Sequence, residues 1–239
     1  MTILTRAERS GRATLGAALV LTLVASTSIA HAALDEERER VKQAAQVLRE
    51  LTRAEDAGIP AALLDRAKAI AVVPHVVRGA FIVGARWGKG LITARDTSGQ
   101  WGPTSFLDLS GASVGFQIGG DATDLVLVFI EEDGLEALLE DRVELGANVS
   151  VAVGPLGRSA ELGTNLTLDT AIYAYSRTKG AFAGAALDGT VVTIDDSANK
   201  KAFGRAVTGD LVMKGQLESP ELFRPFVDAV RRITPASPR

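Results

Sequence analysis

At 239 residues, with 46% hydrophobic and 23% charged residues, the chain has the length for one domain with appendages and the balance of a globular protein. Its formal net charge of −3 excludes a general nucleic-acid binder, which carries a basic surplus. The lack of cysteine excludes disulfide frameworks, zinc–thiolate centres, thiol nucleophiles and cysteine-borne lipid anchors.

Residues 1–32 read as a leader. Arg6, Arg9 and Arg12 precede an apolar run, Ala13–Ala25, and a small-residue stretch closes on Ala30-His31-Ala32, the pattern of a signal peptide cleaved after Ala32. The apolar run is shorter than the roughly 20 residues a membrane-spanning helix needs. Cleavage would move the net charge from −3 to −5, because the leader holds three arginines and one glutamate. The expected product is exported and periplasmic, soluble or peripherally attached to a membrane.

Residues 33–57 form an amino-terminal helical segment. Leu34, Val41, Ala44, Leu48 and Leu51 fall on one helical face, with acids at the start and Arg49 and Arg53 near the end. Pro60 opens a second helix, Ala61–Ile70. The pattern then turns to strands: Ala69–Val73, Ala80–Ala85, and Gly90–Arg95 returning through an Arg86-Trp87-Gly88-Lys89 turn. Ser105–Leu109, Ala112–Ile118 and Asp124–Ile130 follow, the last (DLVLVFI) apolar enough to be buried on both faces. Glu131–Glu140 is a short acidic helix. Ala147–Val153, Leu162–Leu168 and Ala171–Ser176 continue the sheet, and Ala181–Leu187 pairs with Thr190–Ile194 around Asp188-Gly189. Asp195-Asp196-Ser197 caps a helix, and Ser219-Pro220 opens the last one, within a carboxy-terminal segment 206–239 whose end from Thr234 should be unstructured. The fold class is α+β: a strongly curved, mostly antiparallel sheet or partly closed barrel flanked by amino- and carboxy-terminal helices.

Catalytic patterns fail on their missing partners. Gly111-Ala112-Ser113-Val114-Gly115 matches a nucleophile elbow, yet no histidine follows it, and His75 lies upstream. Ser176-Arg177-Thr178-Lys179 matches S-x-x-K without the companion motifs, so a Ser–Lys hydrolase is a weak alternative. One histidine beyond the leader and no cysteine leave no transition-metal ligand set. Neither cofactor nor metal is expected. A second alternative is an envelope interaction module with no lipid site.

A series of motifs, taken in order, resembles the SYLF domain family of lipid-binding proteins. They are Ile59-Pro60 with Leu63-Leu64 and Ala67-Lys68-Ala69-Ile70, then Arg78-Gly79-Ala80-Phe81-Ile82-Val83-Gly84, Gly88-Lys89-Gly90 and Trp101-Gly102-Pro103. Gly115-Phe116-Gln117-Ile118-Gly119 and Gly154-Pro155-Leu156-Gly157-Arg158 come next. The most distinctive is Tyr173-Ala174-Tyr175-Ser176-Arg177-Thr178-Lys179-Gly180-Ala181-Phe182-Ala183-Gly184, completed by Leu187-Asp188-Gly189, Asn199 and Phe203-Gly204. Thr178 and Ala181 depart from the usual serine and leucine. The resemblance covers residues 58–205 and implies phospholipid binding without catalysis. Together with the leader it points to a bacterial exported member acting at a membrane surface of the cell envelope, with the actin binding of some eukaryotic members set aside. Arg158, Arg177 and Lys179 are the expected phosphate ligands, and Lys68, Arg78, Arg86 and Lys89 a second cationic set. The expected partner is an anionic phospholipid or membrane surface, with no nucleic acid and no identified protein. A hairpin of Leu162–Leu168 with Ala171–Ser176 would bring Arg158 to the same sheet edge as Arg177 and Lys179.

Overall fold

A computed structural model describes residues 34–51, 58–80, 84–113, 123–140, 142–156, 170–178 and 181–234. The leader-like stretch 1–32, the predicted strand Leu162–Leu168, Arg158 and Lys179 therefore lie outside the described residues. The chain divides into two compact units, Met1–Glu36 and Glu37–Arg239. Apart from residues 34–36, every described residue belongs to the second.

Helix α1 (Asp35–Leu51) buries Val41, Ala44, Leu48 and Leu51 along one stripe, and α2 (Ala61–Arg66) starts after Pro60. A single sheet then builds from β1 (Ala69–Ala80), β2 (Gly84–Arg95), β3 (Trp101–Ser113) and β4 (Thr123–Phe129). Helix α3 (Glu132–Glu140), β5 (Arg142–Leu145), β6 (Val151–Val153), β7 (Ile172–Thr178), β8 (Ala181–Gly184) and β9 (Thr190–Ile194) come next. The last elements are α4 (Asp196–Phe203), α5 (Gly209–Met213), a 3-10 turn (Glu221–Phe223) and α6 (Arg224–Ile233).

The strand order is β5-β9-β3-β2-β1-β4-β7-β6, with β8 also on β7. Every pairing is antiparallel except β6 with β7. The two ends of that order, β5 and β6, are neighbours in sequence. Residues 146–150 join them through a turn in which the Gly146 N–H donates to Val149 O, with Gly146 at φ 85°. So short a segment brings the sheet's two edges back towards each other, and the sheet is a nearly closed barrel. The α+β class with flanking helices is what the residue pattern predicts.

Alternation distributes the side chains between two cores. Ile70, Val72, Leu91, Phe106 and Val126 pack under α1, α2 and α6, while Ala71, Ile92, Leu107, Leu127 and Val192 pack on the other face with α3 and α5. β4 lies between β1 and β7 and feeds both cores, Val126 and Val128 into one and Leu125, Leu127 and Phe129 into the other. That double burial explains its unbroken apolar run.

Several boundaries differ from the expectation. Helix α2 stops at Arg66, and β1 runs on through Pro74 and His75 by way of a bulge, where its register shifts against both neighbours. The expected turn Arg86-Trp87-Gly88-Lys89 is mid-strand in β2. Glycine reads as turn punctuation, but here Gly88 and Gly90 admit close packing: a Cβ on Gly90 would sit 2.4 Å from the Val72 carbonyl oxygen. The Asp188-Gly189 turn forms, yet it joins β8, paired with β7, to β9, paired with β3 and β5. Ser219 does not cap a helix; its Oγ donates to the Gly102 carbonyl at 2.8 Å. The residue pattern did not single out β5 as a strand.

Candidate functional site

The cations expected to bind phosphate fall into separate places. Arg177, in β7 opposite Asp124 of β4, is 19% exposed. Its guanidinium donates to Asp124 at 2.9 Å and is ion-paired with Glu50 near the end of α1. Asp124 also accepts from the His75 N–H at 2.9 Å, holding the bulge residue at φ 52°. A non-glycine residue in that region needs a local hold. Arg177 thus ties α1 and the β1 bulge to the sheet.

The route proposed to bring Arg158 to Arg177 also changes. β6 pairs with β7 in parallel and ends beside Ala174, where the Gly154 N–H donates to the Ala174 carbonyl. β8 occupies the same edge of β7 beyond that point, and a Cβ on Gly184 would lie 2.7 Å from Gly154 O. The chain must leave the sheet at Gly154, level with Tyr175 and three residues, or about 10 Å, short of Thr178. Leu156 then packs towards the core under the helices.

Lys89 and its surroundings form a second node. Asp195 caps α4 by accepting from the Ala198 N–H at 2.9 Å and meets Arg40 of α1 at 3.0 Å, both side chains being buried. Lys89 lies 4.0 Å from the same carboxylate, and Arg40 stacks over Phe106. Burial alone would raise the Asp195 carboxyl, but the Ala198 and Arg40 hydrogen bonds, with the charges of Arg40 and Lys89, hold it below its ordinary value. Asp108, the register partner of Lys89, is pushed upward by burial and then by the Asp195 charge, against Lys89 and Arg40. Asn199 donates to Ser105 Oγ and accepts from the Phe106 N–H, and Lys201 bonds Glu37 at 2.8 Å. This node clamps α1 to α4.

Lys68 pairs with Glu132 at 3.1 Å at the end of β1 remote from the β1–β2 connection. Arg78 and Arg86 occupy the near end and are direct register partners. Arg86 is half-buried, and its Nη1 donates to the Ala186 carbonyl at 3.4 Å. One register step away, Val77 faces Trp87, and they are 42% and 50% exposed. Residues 75–89 contain three basic residues and no acid. The structure therefore groups Arg78, Arg86 and Lys89 on the hairpin and separates Lys68 and Arg177 from them. Reading 86–89 as a turn hid Trp87; the run of bases without acids beside a tryptophan was the available signal.

Nothing catalytic assembles around the decoy serines among the described residues. Ser176 Oγ lies 3.4 Å from the Ala183 carbonyl, and Ser113 ends β3 with His75 on β1. Among the described residues no group of three or more histidine and acidic side chains is placed to hold a metal, and no helix is long and apolar enough to cross a membrane.

The described residues form a helix-flanked, nearly closed barrel with buried ion-pair clamps and one hairpin rich in bases. Residues 110–233 match the family model described as Ysc84: Las17-binding protein actin regulator. The chain is 34% identical over 204 residues to Protein YSC84 of Saccharomyces cerevisiae and 32% identical over 204 residues to LAS seventeen-binding protein 3 of the same yeast. These alignments cover 82% of the chain and 42% and 43% of the relatives. It is 32% identical over 189 residues to human SH3 domain-containing YSC84-like protein 1, covering 77% of the chain and 55% of the relative. The chain belongs to the SYLF/Ysc84 domain family, a family of binding proteins and not of enzymes, and it spans about half the length of these relatives.

These relatives correct one group of expectations. The exported bacterial member, the periplasmic setting, the role in the cell envelope and the setting aside of actin all conflict with yeast and mammalian relatives and with a family described as an actin regulator. The leader pattern behind them is compositional, a few arginines before a short apolar run, and carries no information on family.

Proposed function

We propose that the chain is a non-catalytic adaptor domain that binds anionic phospholipid headgroups at a membrane surface through its β1–β2 hairpin. The observation carrying this reading is the cross-strand pair of Arg78 with Arg86. Arginine suits phosphate because its planar donors engage two oxygens at once. Residues 75–89 include no acid, although Lys89, the third base of the hairpin, lies 4.0 Å from Asp195 on the opposite face of the strand from Arg86. Arg158 and Lys179 remain candidate contributors from the β6 and β8 loops.

The experiment is flotation with vesicles of phosphatidylcholine alone and with phosphatidylserine added. Each cation near an anionic surface contributes about 1 kcal/mol. Arg78→Ala/Arg86→Ala should then weaken binding about 30-fold, whereas Arg224→Ala, which removes an exposed charge on α6, should leave it unchanged. Equal losses in both variants would refute the hairpin as the site. The family description favours a further protein contact: the domain would meet actin-assembly proteins as well as lipid. Co-sedimentation of the chain with filamentous actin, with and without vesicles, tests that reading.

A further inference from the structure

Strand β1 carries one residue more than either neighbour matches. Its register with β2 reaches Val72↔Leu91 and resumes at Val77↔Trp87, so four residues of β1 oppose three of β2. Against β4, Val73 pairs with Leu125 and Val76 with Thr123, which leaves Pro74 and His75 together opposite Asp124. Two residues facing one make a β-bulge. The bulge resets the alternation of the strand. Val73 and Val76 both pack in the core on the α3 side, where a Cβ on Gly88 would lie 2.6 Å and 2.9 Å from their methyl groups. Asp124 holds the bulge from the other neighbour: its Oδ1 accepts from the His75 N–H at 2.9 Å and its Oδ2 from Arg177 at 2.9 Å.

Carried on without the bulge, the ladder that reaches Val72↔Leu91 would set Val76 against Trp87, Val77 against Arg86 and Arg78 against Ala85. A buried apolar pattern ordinarily forbids such a slip, because it turns core residues outward. Here the pattern does not decide. Val76 is 1% exposed and Val77 42%, so the slip merely exchanges one valine for another. The register of the outer hairpin therefore needs a polar pin. The His75–Asp124 hydrogen bond supplies it, offsetting the cost of holding a non-glycine residue at φ 52°.

Resting on the lipid-binding reading above, we infer that Asp124 is a positioning residue for the headgroup site: by holding the His75 bulge it sets Arg78 against Arg86. Without that hold the outer hairpin slips by one residue and the two arginines part.

The test reads register and lipid binding separately. The chain has no cysteine, so introduced pairs report alone. Residues directly opposite each other on antiparallel strands have Cα atoms about 4.5–5.5 Å apart, within reach of a disulfide. Val77→Cys/Trp87→Cys should therefore oxidise readily in glutathione buffer, and Val76→Cys/Trp87→Cys slowly. Adding Asp124→Ala should slow the first pair and quicken the second. Adding His75→Gly as well should restore the first, because glycine takes a positive φ without help. In the full chain without cysteines, flotation with phosphatidylcholine/phosphatidylserine vesicles should weaken about tenfold in Asp124→Ala, the equivalent of one hydrogen bond to a charged group, and recover in Asp124→Ala/His75→Gly. Asp124→Asn keeps an acceptor for the His75 N–H and should match the wild type in both assays. Arg177→Ala leaves the pin in place and should float as the wild type does below its melting transition. Equal oxidation of the first pair with and without Asp124, or a slipped register in Asp124→Asn, would overturn the inference. A slipped register with unchanged flotation would overturn the link to the headgroup site. A wild type that does not float would overturn the lipid-binding reading itself, while the cross-links still decide whether Asp124 sets the register.

Discussion

Replacing Arg177 by alanine separates a clamp from a lipid ligand. Among the described residues the guanidinium makes charge-assisted contacts to Asp124 at 2.9 Å and to Glu50, and the three side chains are 19%, 13% and 25% exposed. Hydrogen bonds to charged groups contribute about 1.5–3 kcal/mol each when sheltered; partial exposure reduces that, so the pair should contribute about 2–4 kcal/mol. Alanine also leaves Asp124 half-satisfied, keeping the His75 N–H as a donor but losing the guanidinium, and frees the end of α1 from the sheet. Each kcal/mol lowers the melting temperature of a domain this size by about 2–4 °C, which gives a drop of about 4–16 °C. Urea denaturation and calorimetry measure it, with flotation run below both transitions. Adding Asp124→Asn to Arg177→Ala should recover part of the loss by removing the stranded carboxylate. An unchanged midpoint with abolished flotation would refute the clamp and make Arg177 a headgroup ligand.

Packing elsewhere dictates further outcomes. Arg40→Ala strands the buried Asp195 carboxylate and should cost about 3–5 kcal/mol in urea denaturation. In the wild type the depressed Asp195 adds stability that is complete above the ordinary carboxylate value and lost as pH falls through its lower folded value, so Asp195→Asn should flatten the melting-temperature profile on the acid side. Gly154→Ala places a Cβ 2.2–2.5 Å from ring atoms of the fully buried Tyr175 and should cost about 1–3 kcal/mol in urea, whereas Gly102→Ala, with open space around it, should be near neutral.

The fold was legible where local chemistry and tertiary context agree. The apolar run of β4 announced a strand buried on both faces, and Asp195-Asp196-Ser197 announced a cap that Asp195 supplies, because both signals are short-range. The parts that were not legible depend on what packs across the sheet. Pro74 follows the expected end of a strand at Val73, and Arg86-Trp87-Gly88-Lys89 looks like a turn, but β1 absorbs the proline in a bulge, and the glycines of β2 make room for Val72, Val73 and Val76. The partner of β7 could not be read either, since a parallel neighbour reached by a long crossover leaves no turn signature. The candidate site suffered in the same way. Basic residues were visible, but sequence spacing cannot show that Arg177 faces Asp124 and Glu50, or that Arg78 faces Arg86.

Pairing also explains how a chain with net charge −3 can present a basic surface. Asp108, Asp124 and Asp195 border the hairpin, and a denser group of acids lies at the other end of β1. Residues 131–140 contain five acids and no base, and they come directly after β4, where Phe129 pairs with Ala69 at the start of β1. Arg66 and Lys68 sit there, 3.7 Å from Glu131 and 3.1 Å from Glu132, and answer only part of that charge. Arg78 lies nine residues along the same strand, about 30 Å away. That separation is roughly three Debye lengths at 0.1 M salt, so the acidic end does little to cancel the field at the basic one. If the hairpin is the lipid site, an anionic surface would repel the α3 end of the strand and so would favour approach by the hairpin end. Lys68, expected to act with Arg78, Arg86 and Lys89, stands at the α3 end, where its ammonium pairs with Glu132 at 3.1 Å.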